Sequence, residues 1–302
     1  MSDPLISVIL PTRNRAHVLG ESVESVLGQT YDRFELIVVD DASTDETSHL
    51  AHRYKDERIR WIRLSDVRGA GGARNAGLDE ARGDWIAFQD SDDTWMPEKL
   101  RKQVDCAQSL PASYVGVYTS YWKEMGGKRI LLPLPGRGRD DDVLSGLPRG
   151  NFITIQTLMV RGHGVGRVER FDETLTAMAD WDYAIRVAQH GPVKWLPEPL
   201  VVYRLQPDSN SLILDRFENS YRAIMEKHRS LMMQNRENEA WHWATIGNRL
   251  CREGLRQRGR EYLYRAWGLC PRDHRYAGAW LMSWFPTPVF RGLARMYASI
   301  RS

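Results

Sequence analysis

Four short strand-like runs, each followed by polar residues, constrain the fold of this chain more than any other feature. They are Leu5–Leu10, Glu35–Val39, Ile59–Leu64 and Trp85–Gln89. Each has the length of a buried strand and is rich in β-branched or aromatic residues. The stretches between them read as helices. Leu19, Val23, Val26 and Leu27 share one face, Ser43-Thr44-Asp45-Glu46 carries capping residues, and a helix is expected from about Ala73 to Ala81. Strand and helix alternating at this spacing predict βαβ units and a parallel sheet.

Ligands of such sheets bind outside the carboxyl ends of the strands. Three of those ends carry polar residues: Thr12 and Asn14, then Asp40 and Asp41, then Asp90, Asp92 and Asp93. The last group puts three carboxylates within four residues, where like charges repel and raise each other's pKa. Two readings follow from the residues. The run is a solvated acidic turn capping the helix begun by Pro97, or it holds a hard divalent cation that in turn holds a diphosphate. Two other nucleotide motifs are absent: there is no G-x-x-x-x-G-K-[ST], and Gly69, Gly71 and Gly72 miss G-x-G-x-x-G. That glycine cluster reads as a flexible loop, with Arg74 beside it able to meet a phosphate.

Beyond Asp93, an amphipathic helix is expected from Pro97 to Ser109, strands at Tyr114–Trp122 and Thr154–Val160, and a mobile loop at Gly136–Asp142. Asp180 stands at the start of a helix that ends near His190. It is suited either to an N-cap or to a catalytic base. Val193–Leu196 and Leu200–Leu205 read as two short strands.

With 302 residues, 42% hydrophobic and 27% charged, the chain can build one large domain or two. Its charge is uneven. Residues 215–302 carry 16 Lys/Arg against 8 Asp/Glu, leaving 26 against 31 before them. An acidic front and a basic tail suggest differently employed parts. The three cysteines have no zinc or CxxC spacing, which points to a reduced, cytoplasmic setting. The first expected strand begins at Leu5, leaving no room for a signal peptide. The longest uncharged run, Tyr276–Phe290, is too short to cross a bilayer.

The tail from Phe217 to Ile300 reads as helices, with a break near Gly259, and holds Trp241, Trp243, Trp267, Trp280 and Trp284. One reading packs these aromatics against the rest of the chain or a second copy of it, as a homodimer. The other is a peripheral membrane contact, because arginine with Trp, Leu and Phe suits an interfacial helix.

Taken together, several segments resemble the inverting glycosyltransferases of family 2, with the GT-A fold. They are Ser7 to Asn14, Ser25 to Thr30, Glu35 to Ser43, Ala73-Arg74-Asn75-Ala76-Gly77, the Asp90-Ser91-Asp92-Asp93 run, Asp180-Trp181-Asp182 and Tyr203-Arg204. The likeness covers about residues 5–211. It implies an α/β GT-A domain with a mostly parallel sheet over 1–214, divided into a nucleotide-sugar half (1–95) and an acceptor half (96–214). A helical extension then spans 215–302.

The resemblance implies that Pro11, Thr12, Arg13 and Asn14 line the nucleotide pocket. It also implies that Asp41 contacts the base, that Arg74 lies near the diphosphate, that Asp90 and Ser91 help bind the nucleotide sugar, and that Asp90 and Asp92 form the D-x-D pair. Asp92 becomes the direct metal ligand, with Asp90 and Asp93 beside it, and Asp180 the general base. It further implies Mn²⁺ or Mg²⁺ as cofactor, a nucleoside-diphosphate sugar (a UDP-sugar) as donor, and a glycan, lipid-linked or other hydroxyl acceptor. Polysaccharide or glycoconjugate biosynthesis is the setting, at the inner membrane face if the tail binds membrane. No nucleic-acid partner is expected. Two departures stand out: Ala179 replaces a frequent Glu, and Gln206 stands where a His is common after Tyr-Arg.

Three other classes account for these residues less well. A non-catalytic nucleotide-sugar or glycan-binding protein could keep the pocket but has no use for Asp180. A nucleotidyltransferase would carry a glycine-rich first loop with a following Lys. A receiver-type fold needs only about 120 residues and leaves Asp180 without a role.

Overall fold

A computed structural model describes residues 3–133, 142–162, 170–206 and 212–299. The chain forms two compact units, Met1–Leu212 and Ile213–Ser302.

The first unit opens with β1 (Ile6–Thr12), α1 (Leu19–Leu27), β2 (Phe34–Asp40), a 3-10 helix (Glu46–Arg53), β3 (Ile59–Arg63), α2 (Gly69–Glu80) and β4 (Trp85–Phe88). β1, β2, β3 and β4 pair in parallel, in the order β3-β2-β1-β4. β1, β2 and β4 are covered on both faces and read as nearly unbroken apolar runs, whereas β3, at the sheet edge, carries Arg60 and Arg63. Period-two alternation sorts their side chains. Val8, Leu10, Leu36 and Val38 join Leu19, Val23 and Val26 in one cluster, while Ile37 and Val39 join Ala73 in another. α2 comes so close to the sheet that a Cβ on Gly77 would lie 2.5 Å from Ile9 Cγ2.

The unit continues with β5 (Thr94–Trp95), α3 (Lys99–Ser109), β6 (Gly116–Met125), β7 (Lys128–Leu132), a single turn α4 (Val143–Gly146), β8 (Leu158–Arg161), α5 (Ala179–His190) and β9 (Val193–Arg204). The sheet extends as β4-β8-β6-β9-β5, with β7 beside β6. β8, β7 and β5 run against the others, so six of its nine strands point the same way.

Four expectations are corrected. The glycine cluster is not a loop, because α2 already begins at Gly69. Its small residues let the chain at Phe171–Glu173 lie against the helix, with a Gly71 Cβ only 3.5 Å from Asp172 O. The two short strands near the end of the unit are one strand, β9. Its pairing with β6 jumps from Leu196 to Pro199, a register shift where Pro197 and Pro199 cannot donate to the ladder. The expected strand at Thr154–Val160 starts as a 3-10 turn, Ile155–Thr157, and becomes strand only at Leu158. The expected mobile loop at Gly136–Asp142 falls, except for Asp142, outside the described residues.

The second unit is helical: α6 (Leu214–Lys227), α7 (Arg229–Met232), α8 (Arg236–Arg252), α9 (Arg256–Leu269), α10 (His274–Met282) and α11 (Thr287–Ser299). The break expected near Gly259 is the fourth correction. α9 runs through Gly259, and the chain turns instead at Gly254, whose φ of +97° suits glycine. Gly259 serves packing, since a Cβ there would lie 2.7 Å from Gly247 O on α8. Among the described residues no helix is long and apolar enough to cross a membrane.

Candidate active site

The carboxyl ends of β1, β2 and β4 form one rim, because these strands are parallel neighbours. At the end of β1, Pro11 and Thr12 are buried, while Arg13 and Asn14 just beyond it are exposed. The buried Thr12 Oγ1 makes no hydrogen bond among the described residues. Asn14 adopts a left-handed backbone, φ 52°. Its N–H donates to Ser43 Oγ at 3.0 Å and its Oδ1 accepts from Thr44 N–H at 2.8 Å, tying the end of β1 to the end of β2.

After β2, Asp40 and Asp41 are both buried. Asp41 Oδ1 accepts from Arg68 N–H at 2.7 Å and Oδ2 from Gly69 N–H at 2.9 Å. It thus caps α2 from a neighbouring strand, since the helix has no side-chain cap of its own. Sequence reasoning gave Asp41 only to the base. The geometry adds this role and explains why a glycine-rich segment can start a helix.

After β4, the three carboxylates separate. Asp90 Oδ1 accepts from Arg74 Nη2 at 2.5 Å. Arg74 is nearly buried, its guanidinium 5.3 Å from the Phe171 ring centroid and its Nε without a hydrogen bond. Ser91 is buried and Asp92 half-buried. Asp93 is fully buried. Its Oδ1 accepts from Arg204 N–H at 2.7 Å, and its Oδ2 accepts from Gln156 Nε2. Burial, and then the charges of Asp90 and Asp92, hold Asp93 well above the usual carboxylate range. With both oxygens engaged by protein donors, Asp93 ties β9 and the Ile155–Thr157 turn to the acidic run.

Asp180 is the second residue of α5, whose N-cap, Met178, has a left-handed backbone at φ 55°. Its carboxylate accepts from Asn151 Nδ2 at 2.9 Å and from Trp181 N–H at 2.9 Å. Burial pushes its pKa up to about 6, with Arg74 opposing the rise and Asp90 adding to it. Asp180, Arg74 and Asp90 therefore share one electrostatic neighbourhood, although they come from three separate parts of the chain. Tyr203 confirms the grouping. Burial raises its phenol, and Asp93, Asp90, Asp180 and Asp92 all add to the rise. Tyr121 meets Tyr203 edge to face, with centroids 6.3 Å apart.

The structure thus brings together Asp90, Asp92, Asp93, Arg74 and Asp180, which the sequence placed up to about a hundred residues apart. It adds Asn151, Gln156 and Tyr121, which carried no sequence signal. It also adds Asn75, whose buried amide accepts from Phe171 N–H at 2.7 Å and donates to Phe171 O at 3.0 Å, fixing the chain beside α2. Three non-glycine residues among those described have positive φ, namely Asn14, Ala42 and Met178, and all three border this rim.

Among the described residues no three His, Cys, Asp or Glu side chains are arranged to hold a metal ion. The donor set still fits a cation of the kind that takes one or two carboxylates and completes its shell with substrate phosphate oxygens and water. Asp92 and Asp90, the latter now bonded to Arg74, would supply such a pair, whereas Asp93 is committed to protein donors.

A model of the family described as "Glycosyl transferase family 2" matches residues 7–158, about half of the chain. The UDP-Glc:alpha-D-GlcNAc-diphosphoundecaprenol beta-1,3-glucosyltransferase WfgD of Escherichia coli is 44% identical over 104 residues, covering 34% of this chain and 41% of that protein. The putative teichuronic acid biosynthesis glycosyltransferase TuaG of Bacillus subtilis matches at the same 44% over 104 residues, with the same shares of 34% and 41%. The chain thus spans about two fifths of the length of these relatives. Among solved structures, S. aureus TarS 1–349 in complex with UDP-GlcNAc superposes with a TM-score of 0.61 at 21% identity, covering 81% of this chain and 72% of that one. The mannosyltransferase PcManGT from Pyrobaculum calidifontis, in complex with GDP-Man and Mn2+, gives a TM-score of 0.61 at 18% identity, covering 98% and 80%. These likenesses carry the GT-A fold, with its mostly parallel sheet and helical C-terminal region. The match over residues 7–158, on the strands and helices that build the rim, makes this protein a member of glycosyl transferase family 2.

Proposed function

We propose that the protein transfers a sugar from a nucleoside-diphosphate sugar to an acceptor hydroxyl, with inversion at the anomeric carbon, in the synthesis of a polysaccharide or glycoconjugate. The observation that carries this reading is the shared neighbourhood of Asp180, Arg74 and Asp90. It sets a carboxylate with a pKa of about 6 beside a cationic, carboxylate-lined rim. The names of WfgD and of the TarS and PcManGT complexes give UDP-Glc, UDP-GlcNAc and GDP-Man, which supports a nucleotide sugar and favours UDP. The name of the E. coli relative includes an alpha-D-GlcNAc-diphosphoundecaprenol, which supports a lipid-linked acceptor. Three cysteines, none in a disulfide, accord with a cytoplasmic setting.

In this reading Pro11, Thr12, Arg13 and Asn14 line the nucleotide pocket, while Arg74 faces the diphosphate and gives up part of its bond to Asp90 when the donor arrives. A divalent cation, Mn²⁺ or Mg²⁺, held by Asp92 and Asp90, would neutralise charge on the leaving diphosphate. Asp180 accepts the proton of the acceptor hydroxyl, a role typically worth ~10²–10⁴-fold in rate. The hydroxyl oxygen bonds to the anomeric carbon as the bond to the diphosphate breaks, on the opposite face. Asn151 orients the Asp180 carboxylate, and Asp93 holds the acidic run in place. Residues 1–95 serve the donor and residues 96–214 the acceptor.

The test is incubation of the protein with a panel of nucleotide sugars, with and without Mn²⁺, followed by release of nucleoside diphosphate. The anomeric configuration of the product is then read by NMR. Release of nucleoside diphosphate with an inverted product is the expected result. Tight nucleotide binding with no transfer to any acceptor extract would overturn it in favour of a binding protein.

A further inference from the structure

The second unit bears a surface that the transfer reaction does not use. Leu281, Trp284 and Phe285, at the end of α10 and in the turn after it, are 57%, 59% and 51% exposed. Large apolar side chains so exposed, and adjacent, mark an interaction surface. The Tyr264, Trp280 and Trp284 rings continue it, with successive centroids about 6 Å apart (6.0 and 6.1 Å).

Cations collar this turn. Arg256 Nη1 donates to Phe285 O at 2.8 Å and to Trp284 O at 3.3 Å. The Arg260 guanidinium lies 3.7 Å from the Trp284 ring centroid. Arg291 reaches back to Arg252 O. Residues 252–291 hold eight arginines against three Asp/Glu; Arg258, Arg265, Arg275 and Arg291 pair with carboxylates, while Arg256 and Arg260 stand at the turn itself.

From this arrangement we infer that the turn at Leu281, Trp284 and Phe285 docks the protein on an anionic bilayer surface, the apolar tip entering the headgroup boundary and the arginines meeting lipid phosphates. Two other occupants fit less well. A second copy facing this patch would bring two arginine-rich surfaces together. A glycan would need free aromatic faces, yet Trp267 and Trp280 stack on each other at 5.3 Å and Arg260 covers one face of Trp284. The inference does not depend on the transfer reaction, although a lipid-linked acceptor would give it a use.

The test is sedimentation of the full chain with vesicles of equimolar phosphatidylglycerol and phosphatidylcholine, and with phosphatidylcholine alone. Binding to the anionic vesicles at low salt, and its loss at high salt, is expected. Combined Leu281→Ser, Trp284→Ser and Phe285→Ser should lower the bound fraction at least ~10-fold, with the thermal shift on adding UDP unchanged. Arg260→Gln alone should lower it several-fold. A wild-type protein that stays in the supernatant, or a triple variant that sediments equally, would overturn the inference. So would a triple variant whose light scattering shows a lost dimer, which would assign the face to a second copy. Nucleotide binding is read separately, so failure here leaves the transfer reading intact.

Discussion

Asn151 Nδ2 donates to Asp180 Oδ2 across 2.9 Å, joining two residues 29 apart in sequence. A hydrogen bond to the charged form of a carboxylate lowers its pKa and fixes its direction. Turnover should fall as pH drops through about 6, because the base must be ionised and its pKa is about 6. Asn151→Ala removes the donor, so the acid limb of kcat against pH should move to higher pH. Asp180→Asn should cut kcat by ~10²–10⁴-fold with donor Kd unchanged. A loss of thermal stability without a kinetic effect in Asp180→Asn would leave the residue only a structural role, through Asn151 and the Trp181 N–H.

Asp92→Ala should abolish the dependence of turnover on Mn²⁺ and remove the extra thermal shift that Mn²⁺ gives in the presence of UDP. The fold should persist, because relief of carboxylate crowding offsets a lost side chain. An unchanged Mn²⁺ response would refute the metal role. Asp93→Ala serves as contrast. It leaves Gln156 Nε2 and Arg204 N–H unpaired in a buried place, so it should show up first as lost stability in urea unfolding, by about 1–3 kcal/mol.

Asp41 accepts two backbone N–H groups at the start of α2. Asp41→Ala should destabilise the protein by about 1–2 kcal/mol in urea unfolding. Asp41→Asn, which keeps an acceptor, should cost less. If donor affinity falls in both variants while stability falls only in the first, the residue serves base and helix alike.

Gly77→Ala would bring a methyl against Ile9 Cγ2. Overpacking of this kind costs about 1–3 kcal/mol. Pairing it with Ile9→Val, which shortens the opposing side chain but keeps Cγ2, should recover little, whereas Ile9→Ala should recover more. A double-mutant cycle on Tm reads the coupling.

β1, β2 and β4 were legible because a parallel strand buried on both faces leaves a nearly continuous apolar run, whereas β3, at the sheet edge with Arg60 and Arg63, was legible by its β-branched and aromatic residues. The strand ends were legible for a related reason, since Asp40, Asp41 and Asp90 interrupt those runs abruptly. The start of α2 was not. Gly69 to Gly72 has the composition of a loop, and what makes it helical lies far away, in the Asp41 carboxylate and in the chain at Phe171–Glu173. Gly259 misled for the same reason, its contact being Gly247 on another helix. β9 was split in two because Pro197 and Pro199 break a strand locally, while a register shift against β6 carries it through. Asn151 and Gln156 could not be found at all, because their partners, Asp180 and Asp93, are 29 and 63 residues away.

The left-handed backbones at Asn14, Ala42 and Met178 carry a consequence for how such a protein can change. Each costs about 1–3 kcal/mol that the rest of the fold must offset. Asn14 recovers some of this through Ser43 and Thr44, but Ala42 and Met178 have no such side chain to help. Glycine at either position would relax the backbone and raise Tm, and it would also free the loop that aims Asp41 or the turn that aims Asp180. Selection for heat resistance alone would therefore wear down the rim first, and variants hardened by that route should turn over more slowly.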